Sequence, residues 1–212
     1  MNYSYYLKNI LFAYNKKKVL QIRELFLPKE TSLGIFGPNG SGKSTFLKLL
    51  AFLLFPEQGE IFFFGERARD VCSLRKEVTL LEQTPYLLKR SVFENIAYPL
   101  QVRKEKNIEA RVLEAMELVA LEPKKFGQRK WFELSGGEAQ RVALASRIVC
   151  KPRVLLLDEP TSNLDGENTF LIRRALTSLQ EKEKMTIVVV SHDWDWLSAF
   201  SSQIYKFPLE IK

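Results

Sequence analysis

The feature that most constrains this chain is Gly37-Pro-Asn-Gly-Ser-Gly-Lys-Ser44, set between the apolar run Leu33-Gly-Ile-Phe36 and a helical pattern. It fits the phosphate-loop pattern GxxxxGK(S/T) in the strand–loop–helix context that pattern needs. Gly37, Gly40 and Gly42 let the backbone curl so that its N–H groups point inward, and the following helix adds the positive end of its dipole. Lys43 would neutralise the β and γ phosphates, and the Ser44 hydroxyl would be offered to Mg²⁺. Pro38, Asn39, Ser41 and Thr45 complete the expected nucleotide-contacting set.

A second run, Val154-Leu-Leu-Leu-Asp158-Glu159, reads as a buried strand ending in two carboxylates, where open α/β sheets place their ligands. Asp158 can hold Mg²⁺ through water, and Glu159 can polarise an attacking water. Two acids after an apolar run also serve as a plain strand stop. Further strand-like runs are Val19 to Leu27, Ser32 to Phe36, Glu60 to Phe64, Glu77 to Leu81, Thr186 to Val190 and Gln203 to Phe207. Helical patterns cover Lys43 to Phe55, Val92 to Val102, Asn107 to Leu121, Gly136 to Val149, Glu167 to Glu181 and Asp193 to Ala199. Between Thr84 and about Val149 no strand is expected, so a helical subdomain, about 84–150, is inserted into an α/β core.

Leu134-Ser-Gly-Gly-Glu-Ala-Gln-Arg141 opens a helix with Ser135, Gly136 and Gly137, a second anion-binding turn without a lysine. An ordinary helix cap has the same composition. With the phosphate loop and the acidic strand end, this segment resembles the nucleotide-binding subunit of an ATP-binding cassette transporter, whose signature is LSGGE. The resemblance covers nearly the whole chain. It implies a phosphate-loop NTPase core, mostly parallel sheet, with an antiparallel β edge and the inserted helices, all in one domain over 1–212.

The same resemblance implies that Tyr14, 23 positions before Gly37, stacks on adenine, with Phe12 as the other aromatic at hand. Gln83 would touch Mg²⁺ or the attacking water and link the core to the helices. Ser162-Asn163-Leu164-Asp165 would cross to a partner subunit, and His192 would sense the γ-phosphate. It further implies ATP and Mg²⁺ as cofactors and a head-to-tail homodimer or pseudo-dimer. Each ATP would then lie between one phosphate loop and the partner's Ser135, Gly136, Gly137 and Asp165. Integral membrane permease subunits and a substrate-binding protein complete the implied assembly, on the cytoplasmic side of the membrane.

Composition sets limits on these readings. The longest apolar run, Phe46 to Phe55, contains Lys48 and falls short of the roughly 20 residues that cross a bilayer. The N-terminus lacks the order of a secretory signal, which points to the cytosol. Cys72 and Cys150 stand 78 positions apart without a metal-binding neighbour and are expected as buried thiols. A net charge of +7 keeps nucleic acid in view, although the basic pairs are dispersed among acids and read as solvated surface.

Cassettes of DNA repair resemble the chain too, but they carry a long coiled coil where only 51 residues separate Gln83 from Ser135. No nucleic acid partner is therefore expected. The segment from Gln83 to Leu100 is similar to importer cassettes, most of all to those of tungstate and phosphate-type oxyanion uptake, with export and lipoprotein or mechanotransmission cassettes as the alternative. Tyr86, Leu87, Leu88, Phe93 and Tyr98 are expected either to form a groove for a helix of the membrane subunit or to pack the helical core.

Overall fold

The computed structural model describes residues 2–162 and 164–208, so Asn163 of the expected crossing loop lies outside the described residues. Strands β1 (Tyr3–Tyr14) and β2 (Lys17–Pro28) form an antiparallel hairpin. Its two-residue turn, Asn15-Lys16, has both φ angles positive (48° and 67°), the hand that matches strand twist. On the other side β1 pairs with β4 (Gln58–Phe63), which pairs with the short β5 (Glu66–Arg67), giving the order β2-β1-β4-β5.

β1 is absent from the strands expected above, and a bulge explains why. Burial alternates through Tyr5 and Leu7, then changes phase to Ile10 and Phe12, with Asn9 at φ 53° and a register slip against β4 between Lys8 and Leu11. Gly59 lies opposite the bulge at φ 98°, and a Cβ there would fall onto the carbonyl oxygens of Lys8 and Asn9. Gly59→Ala should therefore cost about 2 kcal/mol or more, a Tm loss of about 4–8 °C by calorimetry.

The second sheet is wholly parallel. Its strands β3 (Ser32–Phe36), β6 (Val78–Leu81), β7 (Val154–Asp158), β8 (Thr186–Val190) and β9 (Gln203–Lys206) stand in the order β6-β7-β8-β3-β9. Alternate residues of β7 and β8 feed two apolar cores. Val154, Leu156, Val188 and Val190 face helix α1 (Lys43–Leu50) and the antiparallel sheet. Leu155, Leu157, Ile187 and Val189 share the other core with the helices between β6 and β7 and with α7 (Gly166–Glu183). Covered on both faces, these strands read as unbroken apolar runs, each buried Val, Leu or Ile contributing about 1.5–3 kcal/mol.

Helix α2 (Val71–Glu77), capped by Asp70, was not expected and takes the first residue of the expected strand Glu77 to Leu81. It carries Cys72 on its exposed surface, and Cys150 is half-buried, so neither cysteine is the buried thiol expected. Helix α1 stops at Leu50 rather than Phe55 because Phe52 turns to φ 57°. Between β6 and β7 come α3 (Val92–Val102), α4 (Ile108–Leu118), α5 (Pro123–Phe126), a 3₁₀ turn (Trp131–Glu133) and α6 (Gly136–Ile148). Among the described residues no strand falls there. On α4, Val112 and Met116 are fully buried and turn one face of the helix to the core. Helix α8 (Trp194–Phe200) follows β8. Among the described residues no helix is long and apolar enough to cross a membrane.

Candidate active site

Strand order builds the site. In register, Leu157 of β7 lies beside Leu81 of β6, and Asp158 beside Val190 of β8, itself beside Ile35 of β3. With strands about 4.8 Å apart, Gln83, Asp158-Glu159, His192 and the phosphate loop all emerge at the carboxyl edge of four adjacent strands.

In the phosphate loop, Gly40 and Gly42 have φ 78° and 94°. Gly37 lies so close to the backbone of Phe207 that a Cβ would stand 2.5 Å from its carbonyl oxygen. The Lys43 side chain folds back under the loop, 7% exposed, and Nζ donates to the carbonyls of Gly37 (2.7 Å) and Pro38 (2.9 Å). Among the described residues the N–H groups of Gly40, Gly42, Lys43, Ser44 and Thr45 find no acceptor, and the exposed Ser44 hydroxyl makes no hydrogen bond. Unfilled donors, a cation and a free hydroxyl converge where a polyphosphate and its metal ion would sit, so the residues present fit both.

Glu159 is the strained residue of this edge, at φ 48°, a conformation that costs a non-glycine residue about 1 kcal/mol. Its N–H donates to the Val190 carbonyl at 2.9 Å, which bends the chain across β8. The carboxylate, 8% exposed as a residue, accepts from Ser191 Oγ (3.3 Å), and its Oε2 lies 2.8 Å from Nδ1 of the exposed His192. Gln83 is drawn to the same place, its Nε2 donating to Ser162 Oγ (3.4 Å), which donates to the Glu159 carbonyl (3.0 Å). Ser191 was missed by sequence reasoning, although its place between an apolar run and a histidine was a usable signal.

The other expected residues stand apart from this edge. Ser135 caps α6 through a reciprocal box with Glu138, and Gly137 packs so closely on the Asn168 side chain that a Cβ there would require the Asn168 amide to shift. Nothing lies within 4 Å of where a Cβ on Gly136 would stand. Asp165 caps α7, and the N–H of Asn168, then its side-chain amide, hold the Asp165 carboxyl below its ordinary range. Among the described residues none of these groups makes a hydrogen bond to the phosphate loop. α6 does report to the acidic strand end, because the buried Gln140 Nε2 donates to the Pro160 carbonyl at 3.1 Å. Neither Gln140 nor Asn168 was picked from the sequence. Tyr14 is half-exposed on the hairpin, edge-on to the buried Phe12 (4.9 Å between centroids), which leaves Tyr14 the available ring of the two.

The family model for ABC transporters matches residues 20–162, a span that runs from β2 through the phosphate loop and the Ser135 turn to the strand end at Glu159. The chain belongs to the ABC transporter family. It is an ATPase cassette of that family, with the α/β phosphate-loop fold expected from the sequence. The cassette is 39% identical over 189 residues to the tungstate uptake system ATP-binding protein TupC of Peptoclostridium acidaminophilum, covering 88% of this chain and 86% of that one. Its fold matches cbiO1 from Clostridium perfringens, part of the ABC transporter complex cbiONQ, with a TM-score of 0.88 at 25% identity over 98% of this chain and 85% of that one. The cassette also matches the dimeric MJ0796 cassette in a post-hydrolysis state bound to ADP and Pi, with a TM-score of 0.85 at 29% identity over 96% and 94%.

Proposed function

We propose that two copies of this cassette, or this cassette and a close relative, close head to tail on ATP and drive import of a small solute, such as an inorganic oxyanion, through a membrane permease. The observation that carries this reading is the separation just described. One chain holds a lysine-bearing phosphate loop and a second turn at Ser135 of anion-binding composition that, among the described residues, makes no hydrogen bond to it, so a second chain would bring the two kinds of site together.

In this reading the phosphate loop from Gly37 to Thr45 grips the triphosphate while Tyr14 stacks on the base. Ser135, Gly136, Gly137 and Asp165 meet the nucleotide held by the partner. Ser44, Asp158 and Gln83 would hold Mg²⁺, which supplies charge neutralisation at the β and γ phosphates. Glu159 polarises the attacking water, and His192, already against Oε2 of Glu159, fixes the carboxylate and contacts the γ-phosphate.

The helices over about 84–150 act as the moving unit, working on the cytoplasmic face of the membrane beside the permease, with a substrate-binding protein as a further partner. Tyr86, 83% exposed, and Tyr98 offer the docking surface. Leu87 and Phe93 instead pack on the helical core, as one of the two expectations for them held. A groove of about 270 Å³ lined by Leu53, Arg75, Pro99, Arg103 and Arg147 begins at the residue after Tyr98, and Tyr86 is not part of its lining. The oxyanion assignment rests on likeness to the tungstate protein.

Sedimentation with Mg-ATP tests closure. A Glu159→Gln chain should become dimeric, and adding Ser135→Arg should return it to monomer while ATP affinity for the open chain changes less than about threefold. A fully active species that is monomeric throughout turnover would overturn the reading.

A further inference from the structure

Asn95 is a buried polar side chain that none of the roles above uses. It lies in the first turns of α3, 6% exposed, with its amide saturated by one short segment. Oδ1 accepts from the Leu88 N–H at 2.7 Å, and Nδ2 donates to the carbonyls of Leu88 (3.1 Å), Ser91 (2.9 Å) and, more distantly, Arg90 (3.4 Å). Four contacts from one amide are more than capping α3 requires, since Ser91 and Glu94 already form a complete capping box there.

The clamped segment leads in two directions. On its N-terminal side it runs directly into Tyr86, the most exposed large apolar residue described, while Arg90 lies over the Tyr98 ring at 5.1 Å. On its other side it forms a short antiparallel ladder with the chain ahead of α6. Val92 N–H donates to the Arg129 carbonyl (2.9 Å), Phe93 N–H to Gly127 (3.0 Å), and Trp131 N–H to Arg90 (3.2 Å), around a bridge between Ser91 and Lys130. From that ladder the Arg129 guanidinium reaches the Glu138 carboxylate at 3.5 Å. Glu138 in turn accepts from the Ser135 N–H at 2.8 Å.

We propose that Asn95 is a positioning residue for closure: by pinning Leu88–Ser91 to α3 it fixes, through the ladder to Gly127–Trp131, the turn that presents Ser135, and so ties that turn to the docking segment at Tyr86. The inference rests on the closure reading above. Buried amides whose every hydrogen bond is made specify one arrangement of the backbone they hold, which is what a rigid link between two surfaces needs. Asn95 touches no nucleotide group, so its loss acts on geometry and leaves binding to the open chain alone.

The test uses Asn95→Ala and Asn95→Asp, the second keeping an acceptor for the Leu88 N–H while losing the donor to the three carbonyls. In the full chain, exchange of the Val92, Phe93 and Trp131 amides should quicken by about tenfold or more, with α1 unchanged. ATP affinity should stay within about twofold of the parent. In the Glu159→Gln background the ATP-driven dimer should weaken by about tenfold or more. Trp131→Pro, which removes one ladder N–H, should add less to Asn95→Ala than it costs alone, because the two act on one linkage.

Unchanged exchange, or faster exchange with undiminished closure, overturns the proposal. Loss of the fold in both Asn95 variants also overturns it, reducing Asn95 to a core residue. If the Glu159→Gln parent itself does not dimerise with Mg-ATP, the closure reading fails before Asn95 is altered, and the proposal falls with it.

Discussion

Glu159→Gln should lower steady-state ATP turnover by about 10²–10⁴-fold while the Kd for Mg-ATP moves by less than about threefold. The size follows from what an amide cannot do. Gln matches Glu in shape, and its Oε1 can still accept from Ser191 Oγ and stand against His192 Nδ1, the two partners of the Glu159 carboxylate. It cannot take a proton from water. The backbone at φ 48° and the N–H bond to Val190 do not depend on the side-chain charge, so the strand end keeps its form. Thermal unfolding within a few degrees of the parent, tight nucleotide binding and near-absent phosphate release make the expected pattern. A kcat within about threefold of the parent would remove Glu159 from the chemistry and leave it a structural partner of His192.

The parts of this molecule that were legible in the sequence are those with a simple physical signature. β7 and β8 are buried on both faces, so they appear as the unbroken runs Val154-Leu-Leu-Leu and Thr186-Ile-Val-Val-Val, and the chemistry sits one or two residues past each end. The phosphate loop was legible because glycines, lysine and serine are each required by the curl. β1 was not, since the bulge at Asn9 breaks a period-2 pattern after two turns of alternation. Helix α2 has no buried residue at all, so no apolar stripe announced it. Gln140 and Asn168 escaped for a different reason: each acts on a group from another element, Pro160 or Gly137, and spacing carries no trace of such pairs. The same blindness left Leu87 and Phe93 undecided between a groove and the core until packing placed them.

Lys43→Ala should raise the Kd for ATP by about 100-fold or more and abolish turnover with it, the reverse of the Glu159→Gln pattern. Lys43 is 7% exposed, and its ammonium spends two of its three protons on the Gly37 and Pro38 carbonyls. It is thus held under the loop with the third proton and the full charge available to phosphate. Charge-assisted hydrogen bonds to a polyphosphate are about twice as strong as neutral ones, and a loss of about 3 kcal/mol corresponds to about 100-fold in Kd. The truncation also leaves the buried Gly37 carbonyl without its donor, which costs about 1–3 kcal/mol of fold stability. Calorimetric Tm must therefore be read beside binding. A folded variant that binds ATP with unchanged affinity would show that the free N–H groups of Gly40, Gly42, Lys43, Ser44 and Thr45 suffice to hold the phosphates. Weakened binding combined with intact folding assigns the charge of Lys43 to the nucleotide, and places it upstream of Glu159 in the same site.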